Sequence, residues 1–180
     1  NVGFLRRIVD DGSVAAVFCK MLPYDGTPIK ETLMAQGRFN GDVCNPDYDF
    51  LDPRIARCYE AIGRTVGEWV RGSDCVAAMI NHAWHEVFVM ERLFEPAADL
   101  VAYKTALSAV TKFSNNILFS VVEEICDGFQ EGGGECQQYS GLGQIREQIL
   151  ATLVQQRNRF VYENQSWLLK GISKQTLVTA

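Results

Sequence analysis

His82 and His85 stand three residues apart, next to Glu86. On a helix this spacing brings both imidazoles to one side, where with a carboxylate they could hold a divalent metal. Zinc sites built on one helix more often use a four-residue step plus a third ligand, and these are the only two histidines in the chain. We therefore expect them to flank Trp84 as ordinary residues, with no metal bound. The six cysteines (Cys19, Cys44, Cys58, Cys75, Cys126 and Cys136) include no CxxC pair. Cys126 and Cys136 face each other across a glycine-rich tract, so a disulfide between them is geometrically possible. A reactive thiol needs a neighbouring base, and the sequence places none beside these cysteines. Gly132-Gly133-Gly134 and Gly141-Leu142-Gly143 lack the lysine of a phosphate-binding loop and the strand that precedes a dinucleotide site, so they read as linker glycines. Asn164-Gln165-Ser166 matches the short glycosylation pattern, which has no consequence in the cytosol. Glu123-Glu124 and the other carboxylates lie near helix ends or on solvated faces, with no pair placed for acid and base roles. The expectation is a protein that is not an enzyme and has no cofactor.

The composition suits a binding domain. The chain has 180 residues, of which 47% are hydrophobic and 22% charged, and only five prolines. That is enough apolar surface to offset the entropy of ordering one domain, so residues 1–180 are expected to fold as a single unit. A formal charge of −5 spread along the chain argues against binding phosphate backbones, and no nucleic acid is expected. Cysteine usage fits a reducing, intracellular compartment. The sequence opens without a leader-like stretch and contains no apolar run of about 18 residues, so no membrane span is expected.

The elements that must carry any function read as helices. Phe4, Leu5, Ile8 and Val9, then Val14, Val17, Phe18 and Met21 after Gly12-Ser13, predict one interrupted helix or two short ones. Residues 23–49 are punctuated by glycine and proline and read as a loop, with one helical turn around Glu31 to Met34. Asp52-Pro53 is a carboxylate cap with proline at the first helical position. The helix it opens carries Ile55, Cys58, Tyr59, Ile62, Val66, Trp69 and Val70 on one stripe and ends at Gly72. Ser73-Asp74 can cap the next stretch, Val76 to Phe94, with a break into two helices near Asn81. Leu100 to Phe129 is apolar nearly all round, which places it at the centre of the domain. Residues 130–143 form a flexible connection to a last long helix, Ile145 to Val161, and Ser166-Trp167-Leu168-Leu169 predicts a short terminal one. No segment alternates with period two for long enough to propose a sheet.

Three segments carry a resemblance. Ile55, Tyr59, Ile62, Gly63 and Val66 follow the spacing of the Bcl-2 homology 3 helix, whose glycine lets another helix approach closely. Tyr59 stands where that pattern has leucine, and Arg64 where it has aspartate. Leu93-Phe94 followed by Asp99 to Phe113 resembles the first homology region. Its Asn-Trp-Gly-Arg signature is absent, and Lys104 stands in for the arginine if two residues are inserted. Phe160-Val161-Tyr162-Glu163-Asn164-Gln165-Ser166-Trp167 resembles the second region, with Gln165 and Ser166 where glycines are expected. These motifs occur in family order from about Asp52 to Leu177, and the chain is similar to a strongly diverged Bcl-2 family apoptosis regulator, of the kind viruses carry.

The resemblance implies an all-α, Bcl-2-like bundle around a central hydrophobic helix or helical hairpin. Its surface groove would hold the amphipathic homology 3 helix of a pro-apoptotic partner, with anchors at i, i+3 or i+4, and i+7. The groove residues it implies are Ile62, Val66, Met79, Trp84, Val87, Phe88, Leu93 and Phe94, with Leu107 and Val110 as floor. Lys104 would meet a ligand carboxylate as a point charge, more weakly than a bidentate arginine. Tyr59 and Arg64 make the chain's own helix a poor ligand, which favours an anti-apoptotic role. Expected partners are pro-apoptotic family members, with a homodimer as a further one. Expected locations are the cytoplasm or, through an additional C-terminal tail, the mitochondrial outer membrane. Two other readings remain open. One is an all-α module with a lipophilic cavity similar to a nuclear-receptor ligand domain, because Glu68-Trp69-Val70-Arg71 and Trp84-His85-Glu86-Val87 echo two of its helices. The other is a helical enzyme with a concave polar site.

Overall fold

Apolar residues spaced by three and four become helix along most of the chain. The structure, a computed structural model, describes residues 2–130 and 139–178, with the side chains at 98 and 174–178 outside that description. Cys136, its pairing with Cys126, and Gly132-Gly133-Gly134 lie outside the described residues. Among the described residues there are seven helices: α1 (Val2–Ile8), α2 (Pro28–Ala35), α3 (Pro53–Val70), α4 (Val76–Leu93), α5 (Ala98–Gln130), α6 (Leu142–Glu163) and α7 (Gln165–Val178). The only strand-like pairing among these residues is an isolated antiparallel bridge, Phe39 with Tyr48. The protein is an all-α helical bundle.

α5 is the axis. Its 33 residues extend about 50 Å at the helical rise of about 1.5 Å per residue, and it packs against α1, α3, α4 and α6. That position matches the expectation from its all-round apolarity, and Leu107, Leu118, Phe119, Val121, Val122 and Ile125 are all buried. α3 starts as its sequence requires. The Asp52 carboxylate accepts from the Arg54 N–H at 2.8 Å, Pro53 takes the first position, and Gly72 leaves the helix at a φ of 100°. Along α3 burial deepens towards the C-terminal end: Ile55 is exposed, whereas Val66 and Trp69 are buried.

Three sequence expectations need correction. α4 is continuous, with no break near Asn81. Val76, Ile80, Ala83, Val87 and Met90 form an unbroken buried stripe, and the exposed Asn81 lies off it. Its cap is not Ser73-Asp74 but Cys75, whose sulfur accepts from the Ala78 N–H at 3.3 Å. The third correction is that the stretch around Val14 to Met21 is not helical, because α5 and α3 take its backbone hydrogen bonds. Asn115 accepts from the Ala16 N–H at 2.8 Å and donates to the Val14 carbonyl at 2.9 Å, and the Tyr59 hydroxyl accepts from the Lys20 N–H at 3.1 Å. The chain enters this path at Gly12, whose φ of 73° suits glycine; a Cβ there would lie 2.5 Å from the Ser108 carbonyl oxygen.

Candidate functional site

Pro96 stops the helical ladder after α4 and forces a tight connection into α5, which leaves Leu93, Phe94 and Glu95 at an edge of the bundle. Phe94 ends α4 in an extended conformation, its N–H donating to the Met90 carbonyl at 3.0 Å. α7 folds back over this corner. It leaves α6 at Asn164, a buried residue whose side-chain amide and backbone N–H both donate to the Phe160 carbonyl, at 3.0 and 3.1 Å. The Trp167 ring then meets Phe94 edge-on at 5.2 Å, and its indole N–H donates to the Glu95 carbonyl at 3.0 Å. At Gly171 the α7 backbone lies against Phe94, since a Cβ there would come within 2.4 Å of the ring.

An open cleft of about 680 Å³ lies at this corner, lined by Arg92, Leu93, Phe94, Glu95 and Pro96 on one side and by Trp167, Leu169, Lys170, Gly171 and Ser173 on the other. A smaller cleft of about 240 Å³ continues past Phe94 along Met90, Glu91, Ala97, Leu100 and Val101. Exposed Leu93, Val101 and Leu169 give the surface an apolar character, with Arg92, Lys170 and Glu95 on the lining. An aromatic stack supports the corner from within: Trp167 packs on Phe160 at 6.1 Å, and Phe160 stacks on Tyr103 at 4.7 Å. The Tyr103 hydroxyl is buried, with no hydrogen-bond partner among the described residues. Burial raises its pKa above the ordinary tyrosine value, the Glu86 carboxylate adding to the rise and Arg157 opposing it. Glu86 and Arg157 form a two-pronged ion pair that ties α4 to α6, with N···O distances of 2.8 to 3.0 Å.

The residues singled out in the sequence are dispersed. Leu93 and Phe94 line the cleft. Ile62 and Val66 line a separate, nearly filled crevice of about 10 Å³, where α3 meets Phe18 and Leu118. Val87 and Leu107 are buried in the core, and Met79 and Val110 pack half-buried against it. Trp84, also half-buried, donates its indole N–H to Thr111 at 3.2 Å, while Phe88 is exposed on α4. Lys104 pairs with Glu91 at 2.5 Å beside the smaller cleft. Gly63 does not seat another helix: the nearest atoms a Cβ there would meet belong to the Arg71 guanidinium, the closest at 2.9 Å.

Sequence reasoning left Trp167, Lys170 and Gly171 out of the site. Trp167 did carry a signal, since it closes the segment that resembles the second homology region; the docking of Gly171 on Phe94 had none. His82 and His85 are both exposed on α4, and among the described residues no three His, Cys, Asp or Glu side chains are grouped as a metal would require. No helix among the described residues is long and apolar enough to cross a membrane. The arrangement offers shape, apolar surface and a few charges, the features of a ligand-holding cleft. No family model, curated protein or solved structure matches the chain.

Proposed function

We propose that this domain is a Bcl-2-like, anti-apoptotic binding protein that holds the amphipathic homology 3 helix of a pro-apoptotic partner, and that it acts by sequestration, not catalysis. One observation carries the reading. Phe94 and Trp167, from the two segments that resemble the first and second homology regions, lie 5.2 Å apart and line one open apolar cleft. Glu95 and Trp167, 72 residues apart in sequence, are hydrogen-bonded at the same corner, so the two segments meet where a partner could dock. An apolar helix face with anchors one turn apart suits such a surface, and the cleft volume falls within the range of ligand-binding sites. Lys104, held by Glu91, would exchange that carboxylate for one on the ligand and contribute modestly.

Titration calorimetry of the domain with a panel of homology 3 peptides tests this. At least one peptide is expected to bind at micromolar affinity or better. Leu93→Glu, at an exposed position, should weaken binding about tenfold or more by placing a charge in the apolar cleft. Uniformly absent binding, or binding that Leu93→Glu leaves unchanged, would remove the proposal.

A further inference from the structure

Sequence spacing leaves a bridge between Cys126 and Cys136 geometrically possible, and among the described residues Cys126 faces α3. Its sulfur lies 3.7 Å from that of Cys58, a residue 68 positions earlier in the chain. We propose that Cys58 and Cys126 form a redox-modification site, a thiol pair that reacts with a small-molecule disulfide of the glutathione type and becomes a covalent bridge between α3 and α5.

The geometry favours these two of the five described cysteines. Cys19 and Cys44 are exposed, and Cys75 is buried with its sulfur capping α4. Cys58 and Cys126 are half-buried, so a small oxidant can reach them while the helices hold their sulfurs in contact. Bond formation requires the sulfurs to close from 3.7 Å to about 2.05 Å, a movement that rotation of the two side chains can supply. In the reaction, one protein thiolate attacks the oxidant's S–S bond and releases one glutathione thiol. The second protein thiolate then attacks the mixed disulfide and releases the other. Two electrons pass from the protein sulfurs to the oxidant, and the two protons the cysteines lose end on two molecules of glutathione.

The test is to incubate the reduced full chain with oxidised glutathione, block the remaining thiols, digest without reductant and map the peptides by mass spectrometry. The Cys58 peptide is expected to be joined to the Cys126 peptide. Because the bridge closes a long loop, Tm should rise about 5–10 °C over the reduced chain. Cys58→Ser should show neither effect; if that variant fails to fold, the map of the unaltered chain decides. Glutathione adducts alone, Cys126 joined to Cys136, or a Cys58–Cys126 bridge that leaves Tm unchanged or lowers it would each overturn the proposal.

Discussion

The two sides of α5 are held by different physics. Towards α4, α6 and α7 apolar stripes and stacked rings predominate, ending in the series Tyr103, Phe160, Trp167, Phe94, with the Glu86–Arg157 ion pair at their margin. Towards the irregular stretch from Val9 to Met21, single polar side chains fix the backbone beside a small apolar contact, in which Val9, Ala15 and Ala16 are buried and Phe18 packs edge-on against Phe119 at 6.0 Å. Asn115 grips Val14 and Ala16, the Ser108 hydroxyl donates to the Asp11 carbonyl at 2.6 Å, and the Lys20 ammonium sits over the rings of Tyr48 and Phe50. Burial is non-directional and spreads over many residues, whereas a hydrogen bond depends on one donor and one acceptor. Losses on the first side should therefore be large and felt throughout the bundle, and losses on the second smaller and local.

The largest expected effect is on the ring side. Phe160→Ala removes a buried ring stacked on Tyr103 and packed against Trp167, and should cost about 3–5 kcal/mol in chemical denaturation. It should also weaken peptide binding, because it undermines Trp167. Asn115→Ala comes next. It leaves the Ala16 N–H and the Val14 carbonyl without their partner, at about 2–3 kcal/mol. Hydrogen exchange should then quicken over residues 13–22 while α6 stays protected. Equal quickening in α6 would show instead that the two sides unfold as one unit.

The same division explains what could be read in advance. α3, the central placement of α5, and α6 were legible because a periodic stripe repeats its message every turn, and one unusual residue does not erase it. The Asp52-Pro53 start was legible because a cap is local chemistry. The path from Val14 to Met21 was not, because its apolar residues also fit a helix and the deciding partner, Asn115, lies about a hundred positions away. Asn81 misled for the opposite reason: its type suggests a break, but on an exposed face it leaves the buried stripe of α4 intact. At the cleft, Leu93-Phe94 and Trp167 each lay in a motif-like segment. Their meeting depends on the turn at Asn164 and the bare backbone of Gly171, which no spacing rule encodes. Ile62 and Val66 shared a stripe with exposed Ile55, and only the approach of Phe18 and Leu118 decides which part of it is covered.

Acid should sharpen the contrast at its weak end. Three aspartates among the described residues are held below the ordinary carboxylate value, and all belong to the first part of the chain. Asp11 is lowered by the N–H and hydroxyl of Ser13, Asp47 by the Lys20 ammonium, and Asp52 by Arg54. For Asp47 the folded pKa lies below the unfolded value of 3.8, so its contribution is present above that pH and fades as pH falls through the folded value. The contribution is small. The Asp47 side chain is 62% exposed, which screens the pair to about 0.5 kcal/mol or less, and Lys20 would keep the Tyr48 carbonyl and the two rings after Asp47 takes a proton. Denaturation at pH 5 and pH 3 should therefore show Asp47→Asn losing slightly less stability on acidification than the unaltered chain, with the difference shrinking in high salt. A larger difference, or one that also quickens exchange in α6, would mean that Lys20 and Asp47 support the bundle itself and not only the irregular chain wrapped on it.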